Sequence, residues 1–364
     1  MAAAGPCIFR PATCANAPPR NMRPIRTAPP NWSGWHCVGS RASSSTAVDA
    51  VGVVLADPLA YSEAFDTALR SACPGVEFRR WTDCAPDTDY DLLVTWAFPP
   101  DMAKLPASTR AVLCLGAGTD QLTSDPRLPD DMPVVRLRDP AQAQQILDYA
   151  MHAAFARQQD DFSVRRSQRA RRWQRAVSEI RDRGALSVAV LGLGMIGGHV
   201  ASGLAGAGFR VSGWSRTPRE RVGVTAFHGE GGLVPAVTGA DLLVNLLPSN
   251  QHTRGILDGR LFGLLAPGAY VVNLGRGDHL DETALRQALD SGHVAGAWLD
   301  VFLQEPLPAD HWAWAHESVR ITPHCGGLPT PEGTAAAIAE AIKALDDPRN
   351  PLVSGKPLLD SQNS

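Results

Sequence analysis

The segment SVAVLGLGMIGGHVASGLAGAGFRVSGWSR, residues 187–216, decides the fold. Its apolar start predicts a buried strand, its GxGxxG pattern predicts a tight turn into a helix, and its end predicts a second strand finishing near Trp214. The first glycine of such a turn permits the bend, the second lets backbone approach a pyrophosphate, and the third lets helix pack on strand. Free N–H groups at the helix start favour the same anion. The segment predicts dinucleotide binding over a purely structural glycine-rich turn. The predicted contact residues are Gly192, Gly194, Met195, Ile196 and Gly197.

The end of the second strand selects the dinucleotide. NAD-binding units carry Asp or Glu there, about 20 residues on, to accept hydrogen bonds from the adenosine ribose. This sequence has Ser215, Arg216 and Thr217 instead, with Arg219 close behind. A carboxylate would repel a 2′-phosphate, whereas a guanidinium flanked by hydroxyls binds it through charge-assisted hydrogen bonds. We therefore expect these three residues to bind NADP(H) in preference to NAD(H). The alternative is that Arg216 is an ordinary surface arginine.

Three polar residues follow strands further along the chain. The segments DLLVNLLP, AYVVNLGRG and VAGAWLDV predict strands, and a helix is expected with Asp281 as its N-cap and Gly292 as its stop. Alternating strands and helices predict a Rossmann-type, doubly wound parallel sheet, whose ligands bind beyond the carboxyl ends of the strands. The residues that follow strands there are Arg276, Glu305 and His324.

Each of these three residues has an ordinary explanation by itself: a surface arginine, a solvated loop acid, a histidine in a turn. Together they suit hydride transfer to a carbonyl carbon. Histidine as a residue type titrates near pH ~6.5 and suits delivery of a proton to the carbonyl oxygen. A glutamate would orient the ring and stabilise the imidazolium, and an arginine would bind a carboxylate and polarise the neighbouring keto oxygen. The predicted catalytic residues are therefore Arg276, Glu305 and His324, acting on a 2-keto acid.

The residues before this unit predict a second parallel sheet. The strand-like segments are AVDAVGVVLA, VEFRRW, DYDLLVTW, RAVLCLGAG and MPVVRLR, and a helix is expected from Tyr61 to Ala72. Residues 141–158, AQAQQILDYAMHAAFARQ, have the apolar spacing of a long helix that would join two domains. The length of 364 residues also fits two domains of about 100 to 200 residues each.

Composition and charge exclude other classes of protein. The net charge of −3 gives no general attraction to nucleic acid, and no apolar run approaches the roughly 20 residues that a membrane span needs. The seven cysteines show no CxxC pair and no zinc-ligand spacing. We expect reduced thiols, no metal, a cytoplasmic location and a small-molecule partner.

Residues 1–47 contain no Asp or Glu, and their arginines are spread among Ala, Pro and Ser, so we expect a disordered extension. A nonfunctional extension from an upstream start codon is the favoured explanation. The alternative is an organelle transit peptide, which the many prolines oppose because they break an amphipathic helix.

A basic run, RRSQRARRWQRAVSEIRDR, lies between Arg165 and Arg183. One interpretation is a helix that binds nucleic acid or calmodulin. Since the run lacks a regular apolar stripe, the favoured interpretation is a solvated connector with Trp173 packed against the body of the protein.

The sequence resembles the D-isomer-specific 2-hydroxyacid dehydrogenases. The resemblance rests on VAVLGLGMIGGHVA, NLLP, VVNLGRGDHLDETALRQALDSGHVAGAWLDVFLQEPLP and ITPH, and LGAGTD, TWAFPP and WSR indicate the glyoxylate/hydroxypyruvate reductase A branch. It implies that Arg276 binds substrate, Glu305 is the partner acid and His324 is the general acid/base. It also places Asp300 beside the nicotinamide carboxamide. Further implied contacts are Leu247 and Pro248 with the cofactor, and the backbone amides of Ala117 and Gly118 with the substrate carboxylate.

The resemblance also implies the domain order. A flavodoxin-like substrate domain, residues 48–139 plus 325–364, would be interrupted by the NADP-binding domain, residues 140–324, and Pro331 to Leu345 would form a returning helix. A homodimer paired through the cofactor domain is expected. The expected activity is NADPH-dependent reduction of glyoxylate or hydroxypyruvate. The alternatives are a reductase for a bulkier 2-keto acid and a nucleotide-sensing interaction protein with little turnover.

Four further residues carry open alternatives. Trp96, and Trp312 or Trp314, line the pocket or pack in the core. Cys325 stands where the branch usually has a small aliphatic residue. It would make activity sensitive to oxidation or, as we favour, be an inert packed cysteine.

Overall fold

The computed structural model describes residues 51–57, 62–85, 88–173 and 182–346. What the sequence predicts for the extension 1–47 lies outside these residues, as does the tail 347–364 of the predicted substrate domain. In the described ranges no helix has the length and apolar character that a membrane crossing requires. Nor do those ranges bring three or more His, Cys, Asp or Glu side chains together as metal ligands.

The first sheet has five parallel strands. They are β1 (Gly52–Leu55), β2 (Glu77–Arg80), β3 (Leu92–Thr95), β4 (Ala111–Cys114) and β5 (Val134–Arg136). Their order is β2-β1-β3-β4-β5, the flavodoxin-like order that the resemblance implies. Every residue of the two strands β3 and β4 is buried, as expected for strands covered on both faces of a parallel sheet.

The second sheet has seven parallel strands. They are β6 (Ser187–Leu191), β7 (Arg210–Ser215), β8 (Val224–His228), β9 (Leu242–Asn245), β10 (Ala269–Asn273), β11 (Val294–Leu299) and β12 (Val319–Ile321). The order β12-β11-β10-β9-β6-β7-β8 reverses between β6 and β9, which is the switch point of a Rossmann-type fold. The predicted fold class is therefore confirmed. Strand β8 was not predicted, because this edge strand has no buried residue and no apolar signature.

Helices and short turns connect the strands. The helices are α1 (Glu63–Ala72), α2 (Asp120–Thr123), α3 (Pro140–Gln158), α4 (Asp161–Arg169), α5 (Met195–Gly206), α6 (Leu233–Val237), α7 (Gly259–Leu264), α8 (Glu282–Asp290) and α9 (Pro331–Asp346). Helix α8 begins as predicted, since the Asp281 carboxylate accepts the Ala284 N–H at 3.0 Å, and Gly292 follows its end with φ 76°. Three-residue 3₁₀ turns occupy Trp81–Asp83, Arg183–Ala185, Glu230–Gly232, Gly277–His279 and Trp312–Trp314.

Two helices connect the sheets in the way that a discontinuous domain requires. Helix α3 packs on the second sheet, where Leu147 shares a core with Leu204 of α5. Helix α9 returns to the first sheet, where Ile338 packs with Leu113. The Asp139 carboxylate caps α3 and accepts hydrogen bonds from Thr330, just before α9. This packing supports the predicted domain boundaries, which stay a prediction.

The prediction that Trp173 packs against the protein is wrong. The basic run begins in α4, where Phe162 is buried against Gly296 and Tyr270 and supplies the apolar anchor of this segment. Trp173 lies four residues beyond the end of α4 and is 94% exposed. Residues 174–181 of the run lie outside the described part of the chain.

Candidate active site

A cavity of about 1350 Å³ lies at the carboxyl ends of strands from both sheets. The second sheet contributes residues that directly follow β6, β9, β10 and β11, and the first sheet contributes residues that follow β3 and β4. This is where open α/β sheets bind ligands. Among the predicted site residues, those that line it are Gly192, Gly194, Met195, Ile196, Gly197, Leu247, Pro248, Asp300, Ala117, Gly118, Arg276, Glu305 and His324.

The glycine turn fits a dinucleotide. A Cβ on Gly192 would lie 2.8 Å from the Leu246 carbonyl oxygen, and one on Gly197 would lie 1.7 Å from the Gly192 carbonyl oxygen, so close packing requires both glycines. A Cβ on Gly194 would meet nothing within 4 Å. The middle glycine therefore borders open space at the start of α5, the place where a pyrophosphate would approach the backbone.

The three residues predicted to bind the 2′-phosphate lie beside the cavity but do not line it. Ser215 is buried, and its hydroxyl donates to the Thr217 carbonyl oxygen at 2.8 Å, so it shapes the turn after β7. Arg216 and Thr217 are exposed. Two arginines just beyond them, Arg219 and Arg221, do line the cavity. The contacts of Ser215, Arg216 and Thr217 with the cofactor stay a prediction.

His324 and Glu305 form a hydrogen-bonded pair. The Nδ1 atom of His324 lies 2.7 Å from Oε2 of Glu305, and Oε1 of Glu305 accepts the Phe302 N–H at 2.9 Å. Burial opposes ionisation of Glu305, but these hydrogen bonds outweigh it and hold the pKa of its carboxyl below the ordinary value. A charged Glu305 accepts a hydrogen bond from the Nδ1–H of His324, so Nε2 is the imidazole atom left for chemistry.

The loop that carries His324 is held by Asp300. His324 adopts a left-handed backbone conformation with φ 51°, and its N–H donates to the Asp300 carbonyl oxygen at 2.8 Å. The buried Asp300 carboxylate accepts the N–H groups of Cys325 and Gly326 at 3.0 and 2.9 Å, and the Thr322 hydroxyl at 2.5 Å. Such a conformation is costly for a residue with a side chain and persists only where neighbours enforce it. Asp300 thus fixes the direction of His324.

Arg276 pairs with Asp120, a residue that the sequence reasoning missed. Its Nε and Nη2 atoms lie 2.9 and 3.0 Å from the two carboxylate oxygens of Asp120, at the start of α2. A Cβ on Gly118 would lie 2.0 Å from Nη2, which puts the Ala117–Gly118 loop directly beside the guanidinium. The only signal for Asp120 was its position in LGAGTD, six residues after β4 ends.

A buried polar cluster lies under Arg276 and was also missed. Nδ1 of His279 accepts the Arg276 N–H at 3.2 Å and an Asn245 amide N–H at 2.9 Å, and the same amide donates to Asn273 at 2.9 Å. Burial lowers the pKa of His279 and keeps its imidazole neutral, as an acceptor at Nδ1 must be. The available signal was the pair of asparagines that end the otherwise apolar strands β9 and β10.

The predictions for the tryptophans and for Cys325 have different outcomes. Trp96 lines the cavity, with its ring centroid 5.3 Å from that of His324 in an edge-on arrangement. Trp312 donates to Glu282 and Trp314 to the Pro308 carbonyl, and neither is part of the cavity wall.

Cys325 is exposed, so the prediction of a packed cysteine is wrong. Partial desolvation by its neighbours and then the negative charge of Asp300 raise the pKa of its thiol, which disfavours the reactive thiolate.

Comparison with known proteins decides the family. Residues 149–326 match the model of the D-isomer specific 2-hydroxyacid dehydrogenase NAD binding domain. The chain is 35% identical over 308 residues to glyoxylate/hydroxypyruvate reductase A of Serratia proteamaculans, a match that covers 83% of this chain and 97% of the relative. The chain belongs to the D-isomer-specific 2-hydroxyacid dehydrogenase family. It is an NAD(P)-dependent oxidoreductase by that membership.

Two solved dehydrogenase structures resemble the protein. One is a D-isomer specific 2-hydroxyacid dehydrogenase from Xanthobacter autotrophicus Py2 in complex with NADPH and MES, with a TM-score of 0.75, 33% identity and coverage of 85% of this chain and 97% of that one. The other is an NADPH-dependent glyoxylate/hydroxypyruvate reductase from Sinorhizobium meliloti in complex with NADP and sulfate, with a TM-score of 0.74, 28% identity and coverage of 81% and 95%.

Proposed function

We propose that this dehydrogenase is an NADPH-dependent reductase that converts glyoxylate to glycolate and hydroxypyruvate to D-glycerate. The observation that carries the proposal is the hydrogen-bonded His324–Glu305 pair in the same cavity as Arg276 and the glycine turn. The names of the reductase relatives support the substrate class, and the solved neighbours that hold NADPH or NADP support the cofactor.

The preference for NADPH rests on the turn after β7. Residues 215–219 contain no carboxylate, whereas arginines stand at positions 216 and 219. A cofactor with a 2′-phosphate gains charge-assisted hydrogen bonds at such a turn. When bound, the reduced nicotinamide supplies the hydride.

His324 delivers the proton. With Nδ1 held by the Glu305 carboxylate, a protonated His324 presents its Nε2–H to the keto oxygen as negative charge develops there. The negative charge of Glu305 stabilises the imidazolium before the transfer. Because Asp300 fixes the backbone of the His324 loop, the ring needs little reorganisation during the step.

Arg276 binds the substrate carboxylate. A guanidinium has five N–H groups, and here one on Nε and one on Nη2 face Asp120, while one on Nη1 donates to the Gly275 carbonyl oxygen. The two remaining N–H groups are available to a carboxylate and its adjacent keto oxygen. The backbone amides of Ala117 and Gly118 supply the other side of the carboxylate site.

A substrate panel with both cofactors tests the proposal. Purified protein is assayed by absorbance at the nicotinamide band with glyoxylate, hydroxypyruvate, pyruvate and phenylpyruvate, each with NADPH and NADH at equal concentration. The proposal requires turnover of the two small substrates and a higher kcat/KM with NADPH. Faster turnover of phenylpyruvate would favour the bulkier-substrate alternative, and cofactor binding without turnover would favour the nucleotide-sensing alternative.

We also propose a cytoplasmic homodimer, which rests on the family resemblance and the cysteine pattern. Light scattering coupled to gel filtration measures the mass directly: a dimer has twice the 38.8 kDa of one chain. A single-chain mass at micromolar concentration would contradict it.

A further inference from the structure

The six residues 216–221 after β7 carry three arginines in different positions. Arg216 is exposed at the end of the strand and lies outside the cavity wall. Arg219 and Arg221 are half-buried and line the same cavity as the glycine turn. The arginines of this turn that line the cavity are therefore not the one that the strand end suggests.

Arg221 is anchored on the glycine turn itself. Its Nη2 atom donates to the carbonyl oxygens of Leu193 and Gly194 at 2.9 and 3.3 Å, and Nη1 donates to the Glu220 carbonyl oxygen at 2.8 Å. Its Nε lies 2.0 Å from where a Cβ on Gly198 would stand, so the side chain rests on the first turn of α5. The guanidinium thus bridges the turn after β7 and the start of α5.

The charge of this guanidinium is not neutralised by a carboxylate. Among the residues that the structure describes, no Asp or Glu lies within ion-pair distance of Arg221, and the same holds for Arg216 and Arg219. Arg276, in contrast, faces Asp120. Backbone carbonyls orient the Arg221 guanidinium without cancelling its charge, so it can bind an anion in the cavity.

We propose that Arg221 binds the 2′-phosphate of the cofactor and adds a second guanidinium to the site that the sequence assigns to Ser215, Arg216 and Thr217. In Rossmann-type folds the adenosine ribose lies between the glycine turn and the end of the second strand, which are the two elements that Arg221 bridges. Among the described contacts of Arg221, one N–H of Nη1 donates to no backbone carbonyl and can donate to a phosphate oxygen. The proposal rests on the proposed use of NADPH.

Calorimetric binding of NADP⁺, NAD⁺ and 2′,5′-ADP to the whole protein tests it. Loss of a charge-assisted contact predicts that Arg221→Gln weakens NADP⁺ and 2′,5′-ADP binding about tenfold. Binding of NAD⁺ should stay within twofold of wild type, and Arg221→Lys should keep part of the NADP⁺ affinity. The matched control is Arg210→Gln, which removes a guanidinium that also donates to a backbone carbonyl but stands at the opposite end of β7.

If the wild type prefers NADP⁺, either of two results would overturn the inference. The first is an unchanged NADP⁺ affinity in Arg221→Gln. The second is an equal loss of affinity for NADP⁺ and NAD⁺, which would mean that Arg221 supports the glycine turn or binds the pyrophosphate. A wild type without any preference for NADP⁺ would instead contradict the proposed function. A far-ultraviolet circular dichroism melt shows whether each variant folds, and the Lys variant provides the decision if the Gln variant does not.

Discussion

The loop of His324 and the loop of Arg276 face the same cavity but are fixed by different kinds of contact. His324 depends on Asp300 and Glu305, which lie 24 and 19 residues away in the chain and belong to the same sheet region. Arg276 depends on Asp120, 156 residues away beyond the end of the other sheet. The proposed proton donor is thus positioned by contacts within one sheet, whereas the proposed carboxylate site needs both sheets together.

The largest effect is expected when the Asp300 carboxylate, which holds the His324 loop, is removed. Asp300→Ala leaves two loop N–H groups and the Thr322 hydroxyl without their acceptor, at about 1–3 kcal/mol per unsatisfied group. We expect a fall of about 3 kcal/mol in the free energy of unfolding, measured by urea denaturation, and a loss of most activity. Asp290→Ala, on the exposed face of α8, is the control. An Asp300→Ala variant as stable and active as wild type would show that the loop keeps its conformation without Asp300.

The next largest effect is expected for Glu305, the hydrogen-bond partner of His324. Glu305→Gln keeps a hydrogen-bond acceptor for Nδ1 but removes the negative charge that stabilises the imidazolium. A fall of about a hundredfold in kcat is expected, within the range of general acid catalysis, with unchanged NADP⁺ affinity. Steady-state kinetics and calorimetry measure both. A kcat close to that of wild type would reduce Glu305 to a structural role.

A smaller effect is expected at the contact between the sheets. Asp120→Asn weakens the orientation of the Arg276 fork, which the ground state and the transition state use equally. The KM for the 2-keto acid should rise about fivefold with little change in kcat, since a partly exposed ion pair is worth up to about 1 kcal/mol. Asp101→Asn, on the outer surface of the same sheet region, is the control. A lower KM would mean that Asp120 competes with the substrate instead of positioning Arg276.

The smallest effect is a pH dependence of stability. The pKa of the buried His279 lies below its ordinary value. As the pH falls past ~6.5, this imidazole therefore binds a proton in the unfolded chain while it stays neutral in the folded chain. Stability from this group is therefore present above pH ~6.5 and declines as the pH falls below it. His279→Asn should flatten the acid side of the stability curve, measured by urea denaturation at several pH values. The same flattening in His316→Asn would contradict the assignment.

The sequence predicted what short segments determine. The glycine turn, the caps of α8 and the residues after strands are local patterns, and they led to Gly192, Arg276 and His324. It could not predict Asp120 or His279, because their roles arise from partners that only the folded chain brings near. Trp173 shows the same limit in reverse: whether an aromatic side chain is buried depends on neighbours that only the fold supplies, and Trp173 is 94% exposed whereas Phe162 in α4 is buried.

The most direct test of the central claim compares kcat for hydroxypyruvate and NADPH in wild type, His324→Gln and the control His316→Gln, with NADP⁺ affinity measured in parallel. The account predicts that His324→Gln loses about 10²- to 10⁴-fold in kcat, the usual range for a general acid, while NADP⁺ binding is unchanged and His316→Gln behaves as wild type. Near wild-type turnover in His324→Gln with unchanged cofactor binding would contradict it.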